Sequence, residues 1–93
     1  MNEAGLKIPV LIHPTAFVSP SARISEGTIV CAKAAVNTNS VVEKGCIISI
    51  CALADHNSRV GECSHINAGA IVKAGCVVDK LIKVNTGIVY CGE

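Results

Sequence analysis

A valine or isoleucine recurs at nearly every sixth position: Ile12, Val18, Ile24, Val30, Val36, Val42, Ile48, Ala54, Val60, Ile66, Val72, Val78, Val84 and Tyr90, with only Ala54 and Tyr90 departing. Four residues after each site stands a second series that is nearly all small: Ala16, Ala22, Thr28, Ala34, Ser40, Cys46, Ala52, Ser58, Ser64, Ala70 and Cys76, then Ile82 and Ile88. A period of six fits neither an amphipathic helix nor an alternating strand; it is the mark of a hexapeptide repeat. One hexad buries a branched side chain and a small one, too little to fold alone, so hexads must stack. Three hexads make a triangular coil of 18 residues, which sets Val36 on Val18 and Ala54 on Val36, with coils spaced as in a ladder of parallel strands.

The predicted fold class is therefore all-β, a single-stranded parallel β-helix of hexapeptide repeats in about four coils. Residues 12–93 form the β-helix domain, and residues 1–11, out of phase and holding Gly5 and Pro9, form a lead-in segment. Gly27, Gly45, Gly69, Gly75 and Gly87 share the phase three after the branched residue, as do Asn39 and Asn57. Those residue types tolerate positive φ, so this phase marks the corners. Pro14 and Pro20 stand two after a branched residue, where proline fixes φ without touching the core series. The chain stops at Tyr90-Cys91-Gly92-Glu93 still in phase, which predicts a fragment, a shortened product or an end covered by a partner.

Composition narrows the function classes. The 93 residues suit one domain, and a chain 51% hydrophobic but only 2% aromatic builds its core from Ile, Val and Ala. A net charge of +1 without a clustered basic face gives no footprint for nucleic acid or an anionic membrane. No stretch reaches the roughly 18 apolar residues of a membrane helix, and no charged N-terminal region precedes an apolar run, so the expected location is cytoplasmic. Six cysteines raise the question of disulfides. Residues stacked on neighbouring coils differ by 18, and no pair among Cys31, Cys46, Cys51, Cys63, Cys76 and Cys91 differs by 18, 36 or 54, so no disulfide is expected. Cys46 and Cys76 fall on small inward positions and read as small hydrophobes. With no CxxC pair and no three converging ligands, no metal is expected.

Candidate chemistry gathers where the repeat falters. The hexad Ala54-Asp55-His56-Asn57-Ser58-Arg59 loses its branched core residue and gains a histidine, and His65 follows nine residues later. Histidine accepts a proton near neutral pH, and a neighbouring carboxylate or amide fixes its tautomer. His56 and His65 are half a coil apart on different sides of one prism, so a site using both needs two subunits packed side by side, as in a threefold trimer.

The run Asp55-His56-Asn57-Ser58-Arg59-Val60-Gly61-Glu62-Cys63-Ser64-His65-Ile66-Asn67-Ala68-Gly69-Ala70 resembles the signature of the left-handed β-helix acetyltransferases that modify sialic acid or UDP-4-amino-sugars. The lead-in Lys7-Ile8-Pro9-Val10-Leu11-Ile12-His13-Pro14-Thr15-Ala16 is similar to theirs as well. The resemblance implies a homotrimer of left-handed coils, with acetyl-CoA between subunits as the acyl donor and a sugar or nucleotide sugar as acceptor. It implies that His56 is the base that deprotonates the acceptor amine or hydroxyl, with Asp55 and Asn57 beside it as catalytic neighbours. His65, Gly69, Ala70 and Ala74 fall on cofactor-binding positions, and His13 and Ser49 on substrate-binding ones. Asn57 stands where the family usually has an acid, Ser49 stands where it has asparagine, and the family's N-terminal nucleotide-holding subdomain and C-terminal coils are not in this sequence, which predicts impaired turnover. Two further classes remain open: a non-catalytic β-helix for trimerisation or scaffolding, and a gamma-type carbonic anhydrase, whose three-histidine spacing is not present.

Overall fold

In a computed structural model that describes residues 8–91, fourteen two-residue strands recur every six residues and stack into three parallel sheets. The first sheet holds β1 (Leu11–Ile12), β4 (Ile29–Val30), β7 (Ile47–Ile48), β10 (His65–Ile66) and β13 (Lys83–Val84). The second holds β2 (Phe17–Val18), β5 (Ala35–Val36), β8 (Leu53–Ala54), β11 (Ile71–Val72) and β14 (Val89–Tyr90). The third holds β3 (Arg23–Ile24), β6 (Val41–Val42), β9 (Arg59–Val60) and β12 (Val77–Val78). Every strand pairs with the strand 18 residues away, Leu11 with Ile29 and Val36 with Ala54 among them. The all-β parallel β-helix of about four coils expected from the hexads is what forms. Of the lead-in segment, residues 1–7 lie outside the described residues, while the carbonyls of Ile8 and Pro9 accept the N–H of Gly27 on the coil above.

The branched series fills the prism. Val30, Val36, Val42, Ile48, Val60, Ile66, Val72, Val78 and Val84 are buried, and each contributes on the order of 1.5–3 kcal/mol by leaving water. Ala54 is buried too, in register between Val36 and Val72, so the smaller residue leaves the coil undistorted. At the corners φ is positive at Gly27 and at every sixth residue after it to Gly87, between 58° and 77°. The expected glycines and asparagines are there, but so are Lys33, Cys51, Cys63 and Leu81. Such side chains pay about 1–2 kcal/mol each in this conformation, and the ladder enforces it: Cys51, Cys63 and Leu81 donate their N–H groups to Ala32, Lys44 and Glu62 of the coil before.

The small series is not purely apolar. Thr28, Ser40, Cys46 and Ser64 each donate a side-chain hydrogen to the carbonyl 15 residues ahead, that of Glu43, Asp55, Gly61 and Asp79 respectively. Each corner folds the residue four after the core site back beside the one directly after it, and the next coil stacks on that pair, so the reach falls three short of a coil. Cys76 and Cys91 obey the same offset and form a disulfide, with their Cα atoms 5.1 Å apart. This corrects the expectation of no disulfide, which considered only residues stacked vertically. It also removes Cys76 from the small hydrophobes, whereas Cys46 is buried as expected and burial pushes its thiol pKa up.

Candidate functional site

The corner after β8 carries the one close contact between an ionisable pair singled out by the sequence. Its backbone is pinned on both sides: Asp55 N–H donates to Val72, Asn57 N–H donates to Thr38, and the His56 carbonyl accepts from Gly75. From inside the prism, the hydroxyls of Ser40 and Ser58 both donate to the Asp55 carbonyl oxygen. On the outside, Asp55 Oδ1 accepts the His56 backbone N–H at 2.8 Å and lies 3.1 Å from His56 Nδ1. The same oxygen accepts a hydrogen bond from Asn37 Nδ2 at 3.1 Å. Asn37 in turn accepts the N–H of Thr38 on its Oδ1, so its amide is oriented by its own turn.

These donors set the charge of the group. The Asp55 carboxyl is held below the usual aspartate range, chiefly by the His56 backbone N–H, with Asn37 and the His56 ring helping and partial desolvation opposing. An ionised carboxylate only accepts hydrogen bonds, so the proton between it and the ring sits on Nδ1. The Nε2 lone pair of His56 is then free, on a side chain 55% exposed. That arrangement suits a general base whose tautomer is fixed by a carboxylate. The sequence assigned Asp55 and Asn57 to this hexad as neighbours of the base; the contact to the ring comes from Asp55. Asn57 occupies the left-handed corner with φ 59° and does not bond the ring.

His65 lies on β10 in the first sheet, facing outward between Ile47 and Lys83, whereas His56 follows β8 of the second sheet. The two histidines thus sit on different sides of the prism. His65 Nε2 is 2.9 Å from Ser49 Oγ, so Ser49, expected to touch substrate, is engaged with His65. Ala74 stacks one coil above His56, next to Gly75, whose N–H meets the His56 carbonyl. Gly69 is exposed at a corner with open space over its Cα. Ala70, expected on a cofactor-binding position, has its side chain buried in the core, its N–H bonding the Asn67 carbonyl and its carbonyl accepting from Leu53. His13 stands in the column of Ser49, two coils below it, its Nδ1 accepting the Thr15 N–H, and it borders an apolar groove with Leu11, Ile29, Cys31 and Ile50.

Sequence reasoning missed Asn37, Ser40 and Ser58. The coil length alone could have found the first, since Asn37 is 18 residues before Asp55. Among the described residues no group of three or more His, Cys, Asp or Glu is arranged to hold a metal ion. No helix among them is long and apolar enough to cross a membrane.

No family model matches the chain. It is similar to the acetyltransferase domain of PglB from Neisseria gonorrhoeae FA1090, solved in complex with acetyl coenzyme A, at 36% identity and a TM-score of 0.69 over 95% of this chain and 52% of that one. A perosamine N-acetyltransferase variant from Caulobacter crescentus, in complex with CoA and GDP-perosamine, matches at 22% identity and 0.52 over 87% of this chain and 53% of that one. Serine acetyltransferase 1 of Entamoeba histolytica, in complex with L-cysteine, matches at 14% and 0.55 over 87% and 38%. The last two share the fold. The chain spans about half the length of the first two structures it matches.

Proposed function

We propose that this chain is the β-helix part of an acetyl-CoA-dependent acetyltransferase, acting in the cytoplasm on an amino or hydroxyl group of a sugar or nucleotide sugar. The observation that carries the reading is the Asp55-His56 pair with Nε2 left free, in a fold 36% identical to a domain solved with acetyl coenzyme A. His56 Nε2 takes the proton of the acceptor as the amine or hydroxyl attacks the thioester carbonyl. The tetrahedral intermediate then expels the CoA thiolate, which leaves with the proton from the imidazolium. Asp55 holds the ring in that tautomer and stabilises its charged form, the part the resemblance would have given to an acid at position 57. The sugar acceptor rests on the sequence resemblance.

A homotrimer belongs to this reading. His56 is more than half exposed on the single chain, while a proton transfer of this kind works best in a site that excludes water. His65 with Ser49 lies on another side of the prism, where a neighbouring subunit could bring it to His56. The outward residues of the second sheet run Phe17, Ala35, Leu53, Ile71 and Val89, an apolar column of the kind subunits bury.

The test is thiol release from acetyl-CoA with a panel of amino-sugar nucleotides and sialic acid, on a preparation whose mass is measured by sedimentation. A trimer that acetylates an acceptor and fails after His56→Ala supports the reading. Equal rates for the wild-type chain and His56→Ala would overturn the mechanism. The exposed His56 also favours a second reading, a β-helix that serves as a trimerisation scaffold. Absence of acetyl-CoA binding at equilibrium would select it.

A further inference from the structure

The one charged side chain bonded to His56 is itself held by a residue from the coil below. Asp55 Oδ1 is shared by three donors: the His56 backbone N–H, His56 Nδ1 and the Asn37 amide. The backbone donor fixes where the oxygen is, but a carboxylate can still rotate about its Cβ and present the other oxygen. A second donor from a different coil removes that freedom. Asn37 is suited to the task because its own amide cannot turn: Oδ1 accepts the Thr38 N–H at 2.8 Å, which aims Nδ2 at Asp55. The base of the corner is clamped as well, since Ser40, on the same coil as Asn37, donates to the Asp55 carbonyl. The coil below thus grips Asp55 from inside through Ser40 and from outside through Asn37.

We infer that Asn37 is a positioning residue for the His56 base, acting through Asp55 to hold the imidazole with its proton on Nδ1 and its lone pair on Nε2. This rests on the acetyltransferase reading for its effect on turnover but not for its effect on the ring. A neutral imidazole has two tautomers, and the contact of Nδ1 with the Asp55 carboxylate selects the one that carries its proton there. An Asp55 free to rotate selects it less completely, so a fraction of the rings carries the proton on Nε2 and cannot act as the base.

Two variants separate positioning from folding. Asn37→Ala removes both the contact to Asp55 and the turn contact to Thr38. Asn37→Asp keeps an acceptor for the Thr38 N–H, loses the donor to Asp55 and sets a like charge against it. The 15N shifts of the His56 ring in the full chain report the tautomer without any need for turnover. Wild type shows His56 with the proton on Nδ1; both variants show a mixture, while the His65 and His13 rings stay unchanged. In turnover, kcat falls about tenfold with KM within about twofold, the pattern of a supporting contact that acts in the transition state. A His56 tautomer unchanged in a folded Asn37→Asp variant overturns the inference. If the tautomer shifts as stated but neither wild type nor variant transfers acetyl, the positioning role stands and the acetyltransferase reading fails.

Discussion

Two successive corners of the same coil fold, the one after β8 and the one after β9, have nearly the same backbone and opposite contents. Asp55-His56-Asn57-Ser58 and Gly61-Glu62-Cys63-Ser64 both close with an N–H from the serine, at 3.3 and 3.2 Å, and both hold their third residue near φ 59°. His56 and Glu62 occupy the same place in the turn, and the carbonyl of each accepts an N–H from the coil above. What differs is the direction of the serine hydroxyl. Ser58 donates back into its own turn, to Asp55, whereas Ser64 reaches up to Asp79. Above Gly61 the coil has settled so closely that an added Cβ would lie 2.6 Å from the Lys80 nitrogen. The first position of the turn therefore has room for a side chain in the first corner, where Asp55 stands, and has none in the second, where Gly61 stands. In a repeat protein the phase dictates the backbone, and local hydroxyls decide where a functional side chain fits.

The largest break in that comparison is chemical. His56→Ala lowers acetyl transfer at least a hundredfold, the scale of a lost general base, while Glu62→Ala at the equivalent place leaves the rate unchanged; steady-state kinetics on both settles it. Next comes Gly61→Ala, which forces a methyl group into the backbone above and costs about 1–3 kcal/mol in urea unfolding, as overpacking does. Gly69→Ala meets open space and loses only the cost of positive φ, about 1 kcal/mol. A near-equal loss for the two glycines would mean that the close approach at Gly61 is absent in solution. Ser40→Ala removes a buried donor to the Asp55 carbonyl and costs about 1 kcal/mol, with Ser58 still bonded there.

The smallest effect is electrostatic. The folded Asp55 pKa lies below its unfolded value, so its stabilisation is present above the ordinary aspartate range and fades as pH falls below about 4. Because Asp55 is partly exposed, solvent screens most of it. Thermal midpoints of wild type and Asp55→Asn should therefore differ slightly at neutral pH and converge in acid; a constant gap would remove the assigned cause.

The scaffold was legible because a core with a strict period leaves a strict trace: Ile12 to Tyr90 named the inward positions, and every strand found in the structure ends on one of them. The corners were legible as far as glycine and asparagine marked them, but Lys33, Cys51, Cys63 and Leu81 carry no such mark, because stacking imposes their conformation. His56 and Asp55 stood out as an interruption of the pattern. The disulfide and the Asn37 and Ser40 contacts did not, since they depend on which residues face each other across coils at offsets of 15 and 18. The loss of the branched residue at Ala54 does not deform the repeat: Ala54 keeps its register, and the Asp55-His56 pair stands on a regular coil.

The 18-residue coil constrains how such a gene can change in length. Losing or gaining three hexads at once shifts the stack by one storey and keeps every column of side chains intact. Losing a single hexad between Asn37 and Asp55 would preserve the Ile/Val core just as well, yet it would rotate the Asp55 corner by a third of a turn relative to the coils below and set Asp55 over a different residue. A change of six thus keeps the core series but moves Asp55 off Asn37, and a gain of eighteen between the two separates them by a further coil, so that contact survives only changes of length outside the pair.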